Sequence, residues 1–312
     1  MAYTGASTPN TSTGGTSGDL LTDIRLDVIE AYKRRTIFSD KIRIDMLPNG
    51  ASAGSFTIEG KEDATDGPTV GTPYVAGSQV QVSNGTQAEI IVPVDRPQYE
   101  SRRIDKWDES VARYDVIAMQ VRQLGSRLAN AVDRKISAAL ETAAGTTGLV
   151  GNGDGHVLVN VKLPGGTGAA SSTASEMGDA IGESIYAAAA AIRSTDDFED
   201  LYVALSPTNY SYLPQSEKAV NADFTNGNGG FDSGVAKDVG GVMVFQSNNI
   251  PATAGLVGIV WSREGAGMVK LWDPRISINE QPEFLDAKLI NAYFSNGIKP
   301  LRSNSVATLM NV

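Results

Sequence analysis

"DVIAMQVRQLGSRLANAVDRKISAAL", running from Asp115 to Leu140, is the longest regular stretch in the chain, and its reading decides the fold. It has no Pro and a single Gly, Gly125, between flanks rich in both. Ile117, Val121, Leu124, Leu128, Val132, Ile136 and Leu140 recur at intervals of three and four, the spacing of one helix face. Ala131 and Ala139 widen that face. Asp115 is placed to cap the N-terminus, with Tyr114 just before it. About 26 residues at ~1.5 Å each make a rod of roughly 40 Å, well beyond the usual helix length. Arg122, Arg127, Arg134 and Lys135 keep parts of the rod wet or ready for a partner. Taken alone, the pattern also fits an outsized core helix with one solvated side. A coiled coil is disfavoured, because only one such segment exists.

Upstream of the rod the chain changes character three times. Residues 1–18, "MAYTGASTPNTSTGGTSG", offer almost nothing to bury and read as disordered unless a partner pins them. In "DLLTDIRLDVIEAYKRR", Leu21, Ile24, Val28 and Tyr32 recur at helical spacing, and Lys33, Arg34 and Arg35 complement the C-terminal end of the dipole. A single apolar stripe of this length must dock on something else. From Met46 to about Arg103 the period becomes that of strands, in "SAGSFTIEG" and "QVQVSNGTQAEIIVPV". Between them, "KEDATDGPTVGTPYVAGS" shows no period. The expectation is a long two-stranded arm with an irregular tip. Such a ribbon has little core of its own, and its open edges invite another chain.

Downstream, residues 144–173 are rich in Gly and Thr, with a short strand expected in "HVLVNVKL". "ASEMGDAIGESIYAAAAAIRS" reads as an Ala-rich helix and "LYVALS" as a buried strand. "SPTNY" starts another helix, with Ser206 as cap and Pro207 in the first position. A loose Gly/Asn segment covers 221–234. Strands follow at "GVMVFQS", "LVGIVW" and "GMVKLW", completing an α+β unit. "AKLINAYFSNGIKPLRSNSVATLM" returns to strand character. Its "SNG", Ser295–Gly297, is expected to make a kink or turn, and Pro300 to limit pairing.

Composition narrows the chemistry. The 312 residues suffice for two modest cores, or one core with extensions. With no Cys, there is neither a disulfide framework nor a thiolate metal site. No apolar run is long enough to span a bilayer and the start lacks a signal pattern, so the chain reads as soluble and cytosolic, without a membrane partner. A net charge of −10 argues against a sequence reader of nucleic acid, but suits a wall that lies beside nucleic acid without sticking to it. The one histidine, His156, sits in "GNGDGH" and reads as a solvated loop residue; a hydrolase would have to use it. Gly151, Gly153 and Gly155 of that loop do not match the dinucleotide fingerprint. Asp196, Asp197, Glu199 and Asp200 fit no calcium loop and read as an acidic turn. No cofactor, metal or catalytic constellation is expected, and the chain reads as a non-enzyme.

The order of parts (tail, docking helix, β-arm, rod, α+β domain, returning strand) resembles the major capsid proteins of tailed bacteriophages, which share the Hong Kong 97 fold. The likeness is nearest to the short-tailed, podovirus branch. "GASAGSFTIEGKEDA" looks like the family's first arm strand and "RYDVIAMQVRQLGSRLANAVDRKI" like its spine helix. "LYVALSPTNYSYL" is similar to the strand-to-helix step of the axial domain, and "NAYFSNGIKPLR" to the closing strand of the peripheral domain. The resemblance covers roughly residues 20–312 and rests on order more than on any single motif.

It implies an α+β fold with a disordered tail (1–18), an N-arm (19–45) and an extended β-hairpin loop (46–104). A peripheral domain with the spine helix and a Gly-rich connector (105–173), an axial domain (174–280) and closing peripheral strands (281–312) follow. It implies a structural protein that self-assembles as pentamers and hexamers into an icosahedral virion shell around double-stranded DNA. Assembly in the host bacterial cytoplasm, with portal and scaffolding partners, is implied too. A bacterial nanocompartment shell protein is the alternative of the same fold. A tail or adhesin protein comes next, although fibrous repeats are absent. Some relatives crosslink a Lys to an Asn, but Lys61, Asn291, Asn296 and Asn304 sit in no matching motif. Residues 101–135 hold eight Arg/Lys against five Asp/Glu. Glu59, Glu62, Asp63 or Asp66 of the arm is therefore expected to pair with a neighbour's Arg102, Arg103, Lys106 or Arg113.

Overall fold

A computed structural model describes residues 30, 32, 36–59, 87–111, 116–144, 157–161, 173–195, 200–216, 231–232, 235–236, 238–284 and 287–311. The fold is the expected mixture of helices and sheets. The chain falls into two units, one comprising Met1–Thr36, Arg96–Val132 and Trp272–Ser295, the other Ile37–Asp95, Asp133–Leu271 and Asn296–Val312. His156, the loop glycines 151, 153 and 155, Asp115, Lys61, Asp196, Asp197 and Glu199 lie outside the described residues. So does most of the stretch expected to form the first helix, of which Glu30 and Tyr32 are described and helical.

Strand β1 is Arg43–Met46. β2 (Ala53–Glu59) and β3 (Gln87–Pro93) form the antiparallel arm, in register from Ala53 opposite Pro93 to Glu59 opposite Gln87. The alternation in "AGSFTIE" works as strand alternation must. Gly54, Phe56 and Val92 point to one side and are buried, with Val269 and Leu301 in the same apolar cluster, while Ser55, Thr57 and Ile91 are exposed. β4 (Gln98–Ile104) is followed by a short helix, Lys106–Val111, and by the long helix Val116–Ala144. At 29 residues this helix outruns the sequence estimate, and the face read from spacing is the buried one from Val121 onward, while Ile117, Ala131 and Ala139 are half-buried. Val121, Leu124, Val132, Ile136 and Leu140 are fully buried and Leu128 nearly so.

In the second unit a six-stranded sheet has the order β5-β14-β11-β6-β10-β9. Its strands are β5 (Val157–Val161), β6 (Leu201–Leu205), β9 (Asp238–Val239), β10 (Val242–Gln246), β11 (Leu256–Ser262) and β14 (Val306–Asn311). β7 (Phe231–Asp232) and β8 (Val235–Ala236) form a separate small ladder before β9. Helix Ala174–Thr195 lays Ile181, Ile185, Ala188, Ala189 and Ile192 into the core made with Leu201, Val203, Val242, Val257 and Leu309. Ser206 caps helix Pro207–Tyr212 as read, its Oγ accepting the Asn209 N–H at 3.3 Å.

The remaining strands are β12 (Ala266–Gln281) and β13 (Ala287–Pro300), in a sheet of order β1-β12-β13-β4. Three features differ from the sequence reading. β12 continues well past "GMVKLW" and runs through Pro274. β1 pairs in parallel with β12, Arg43 opposite Gly267, although four residues carry too little pattern to announce a strand. The turn at Ser295–Gly297 is not made, because β13 continues through it and all three residues are buried. Gly297 serves close approach instead: a Cβ there would overlap the carbonyl oxygen of Pro93. Local turn propensity yields to packing.

Candidate functional site

The residues expected to meet a neighbouring chain were four acids and four bases. Glu59 ends β2, at the outer end of the described hairpin. Glu62, Asp63, Asp66 and Arg113 lie outside the described residues. The other three bases fall where β4 leads into the short helix, but the structure does not hold them as one patch. β4 pairs antiparallel with β13, with Arg102 opposite Ile290 and Arg103 opposite Leu289. Adjacent strand residues point to opposite faces. Arg102 therefore shares the face of Ile104, Ile290, Ala292 and Phe294, which is buried. Arg103 shares the face of Tyr99 and Ser101, which is exposed. Lys106 is exposed at the start of the short helix.

Arg103 also has partners within its own chain. Its Nε lies 3.4 Å from Asp105 Oδ1, and its guanidinium sits 4.5 Å from the centre of the Phe284 ring. Two of the long helix's four bases are engaged in the same way. Arg127 pairs with Glu100, and Lys135 Nζ lies 2.9 Å from Asp95 Oδ2. Such exposed pairs are worth little in stability, but they orient long side chains. Arg122 and Arg134 are exposed.

The reading of the sequence missed an anchor on the same helix. Asp133 is fully buried on the apolar face, between Ala129 and Ile136. Its Oδ2 accepts the Ile37 N–H at 3.0 Å, and its Oδ1 accepts the Phe38 N–H at 3.4 Å. Phe38, fully buried, stacks on Trp261 with ring centres 5.1 Å apart. Trp261 Nε1 donates to the Lys41 carbonyl at 3.1 Å. Lys41 Nζ in turn donates to the Ile37 carbonyl at 2.7 Å and sits 4.2 Å from the centre of the Phe245 ring. Residues 37–42 are thus fastened to Asp133 of the long helix and to Trp261 of β11. Burial pushes the Asp133 carboxyl up to about 6, against the two N–H donors and the Lys41 charge, which pull it down. The one signal in the sequence was a carboxylate at helical spacing inside an apolar stripe.

Among the described residues, no group of three His, Asp or Glu side chains could hold a metal ion. No described helix is long and apolar enough to cross a membrane. What the surface offers is strand faces, edges and charges.

A family of phage capsid proteins matches residues 99–288, more than half of the chain. No curated protein matches by sequence. Among solved structures, the capsid of cyanophage P-SCSP1u is similar at 23% identity and a TM-score of 0.68, over 89% of this chain and 88% of that one. The mature capsid of bacteriophage PhiM1 is similar at 14% identity and 0.61, over 89% and 87%. A virus-like particle from Pyrococcus furiosus is similar at 10% and 0.54, over 93% and 99%. At these identities the likeness is one of fold.

Proposed function

The chain belongs to the phage capsid protein family, and from that premise we propose that it is the major capsid subunit of a tailed bacteriophage of the short-tailed branch. In this reading it has the Hong Kong 97 fold and builds the icosahedral head around double-stranded DNA. The observation that carries the proposal is the family match over residues 99–288, which takes in β4, the long helix and most of the six-stranded sheet. The fold likeness to two phage capsids supports it. Its work is binding itself, as pentamers and hexamers, with portal and scaffolding proteins as further partners. The virion is its destination and the host bacterial cytoplasm its place of assembly. It is structural rather than enzymatic.

The parts take the roles the resemblance gave them. Residues 19–45 are the N-arm, 46–104 the extended loop, 105–173 and 281–312 the peripheral domain, and 174–280 the axial domain. β14, within the closing stretch, also completes the six-stranded sheet. The long helix stiffens a thin tile. The acidic balance lets the wall face DNA without trapping it. A bacterial nanocompartment shell shares the fold, and the family match weighs for the viral head.

Negative-stain microscopy of the expressed protein tests this reading. Shells tens of nanometres across are expected; a discrete small oligomer sinks it. The arm's acids provide a finer test. Reversing Glu59, Glu62, Asp63 and Asp66 to Lys should impair shell formation at least about tenfold, and compensating reversals among Arg102, Arg103, Lys106 and Arg113 should restore it. Normal shells from the first variant remove the arm pairing and leave the shell reading standing.

A further inference from the structure

The β4–β13 ladder carries a row of aromatic side chains on its open face. Tyr99 of β4 stands directly opposite Tyr293 of β13, so the two project side by side. Tyr293 meets Trp272 of β12 edge-on, ring centres 6.3 Å apart at 81°. The Arg275 guanidinium lies 5.5 Å from the Trp272 ring centre. Three neighbouring strands thus contribute one ring each, with a cation at the β12 end. Further along β4, Ser101 and Arg103 continue the Tyr99 face, and Arg103 covers Phe284.

This row is wet. Tyr99 is 76% exposed, Phe284 is 47% exposed, and Trp272 and Tyr293 are half-buried. Trp107, in the helix that follows β4, is also 76% exposed. Single exposed apolar side chains are ordinary; a contiguous row marks an interaction surface. Tyr, Trp and Arg are the residues that dominate binding energy at protein interfaces. The order of rings and cations is also one that desolvation would strengthen.

We propose that this face is a contact surface for a second copy of the chain, with Tyr99 as its anchor. The inference rests on the shell-forming reading, which requires each copy to cover its neighbours. Charge favours the same occupant. Arg103 and Arg275 lie against rings of this face, while the chain as a whole carries a net charge of −10. The contact differs from the proposed pairing of the arm's acids in needing rings as well as charges.

The test compares full-length wild type with Tyr99→Ala, Tyr99→Phe and Arg275→Glu. Light scattering and negative-stain microscopy are read against subunit concentration, and the unassembled chains are checked by thermal melting. Tyr99→Ala and Arg275→Glu should raise the concentration at which shells appear by about tenfold or more, with melting unchanged. Tyr99→Phe should assemble as wild type does. If Tyr99→Ala melts early, Arg275→Glu carries the test. Wild-type assembly by both variants overturns the proposal, including where they have lost affinity for some other protein. A wild-type chain that forms no shells overturns the shell reading itself, a result distinct from normal shells in wild type and variants alike.

Discussion

Gly297→Ala should destabilise the chain by more than about 3 kcal/mol, the largest effect expected of a methyl group added at any of the described glycines. The new Cβ would overlap the Pro93 carbonyl oxygen, lie 2.9 Å from its carbon and stand 3.1 Å from Val269 Cγ2. A flexible side chain could swing away; a carbonyl at the end of β3 cannot. Its neighbours are tied on both sides, since the Asp95 N–H donates to the Asn296 carbonyl at 3.1 Å and Lys299 Nζ to the Ile91 carbonyl at 3.0 Å. The methyl therefore has to displace the root of the arm from β13. Gly50→Ala is the contrast. Gly50 has φ +96 and nothing within 4 Å of an added Cβ, so only backbone strain of about 1 kcal/mol is at stake. Urea unfolding of both variants measures the difference, and equal losses would falsify the steric account.

The unassembled wild-type chain should become less stable as pH rises through about 6, and Asp133→Asn should abolish that part of the slope. The sign follows from burial. Removal from water disfavours the charged carboxylate, raising its value in the fold from 3.8 to about 6. A carboxyl raised in the fold contributes stability that is complete below about 3.8 and is lost as pH climbs past about 6. The full swing is about 3 kcal/mol. The groups facing it are Lys41, whose charge opposes the shift, and Asn249, whose side chain hydrogen-bonds to it. Asn at 133 keeps an oxygen for one of the Ile37 and Phe38 N–H groups, turns its amide NH2 toward the other at a cost that does not vary with pH, and has no charge to desolvate. Asp133→Ala should behave differently, leaving two N–H groups without their acceptor at a cost of about 1–3 kcal/mol each. Chemical denaturation of the three proteins at about pH 4.5, 6 and 7.5 decides it. Parallel profiles for wild type and Asp133→Asn would remove the buried carboxylate from the account.

The parts that were legible in sequence are those whose pattern is local. The long helix could be read because its buried residues recur every three or four positions over six turns and more. The arm could be read because "SFTIE" alternates and "AEIIV" is rich in β-branched residues. The Ser206–Pro207 start declared itself through two residues with fixed roles. Illegible were β1, whose four residues become a strand because β12 offers them an edge, and the second half of β12, where Asp273–Pro274 looks like a break. At Ser295–Gly297, turn-forming residue types concealed a buried strand that needs Gly for proximity. The candidate site suffered similarly. Arg102 and Arg103 look like one basic patch until the β13 register assigns them opposite faces.

The sequence alone determined the order of the parts that the structure describes: a β-arm, a rod and an α+β domain. Order and periodicity are properties of neighbouring residues, and neighbours are what a sequence displays. Tertiary structure alone decided which side chains share a face and which carboxylate loses its water. Asp133 and Ile37 are 96 residues apart, and the three rings of the open face come from β4, β12 and β13. Burial and pairing between such distant segments depend on how strands register and helices dock. No local period encodes that, so the anchor and the aromatic row emerged only with the fold.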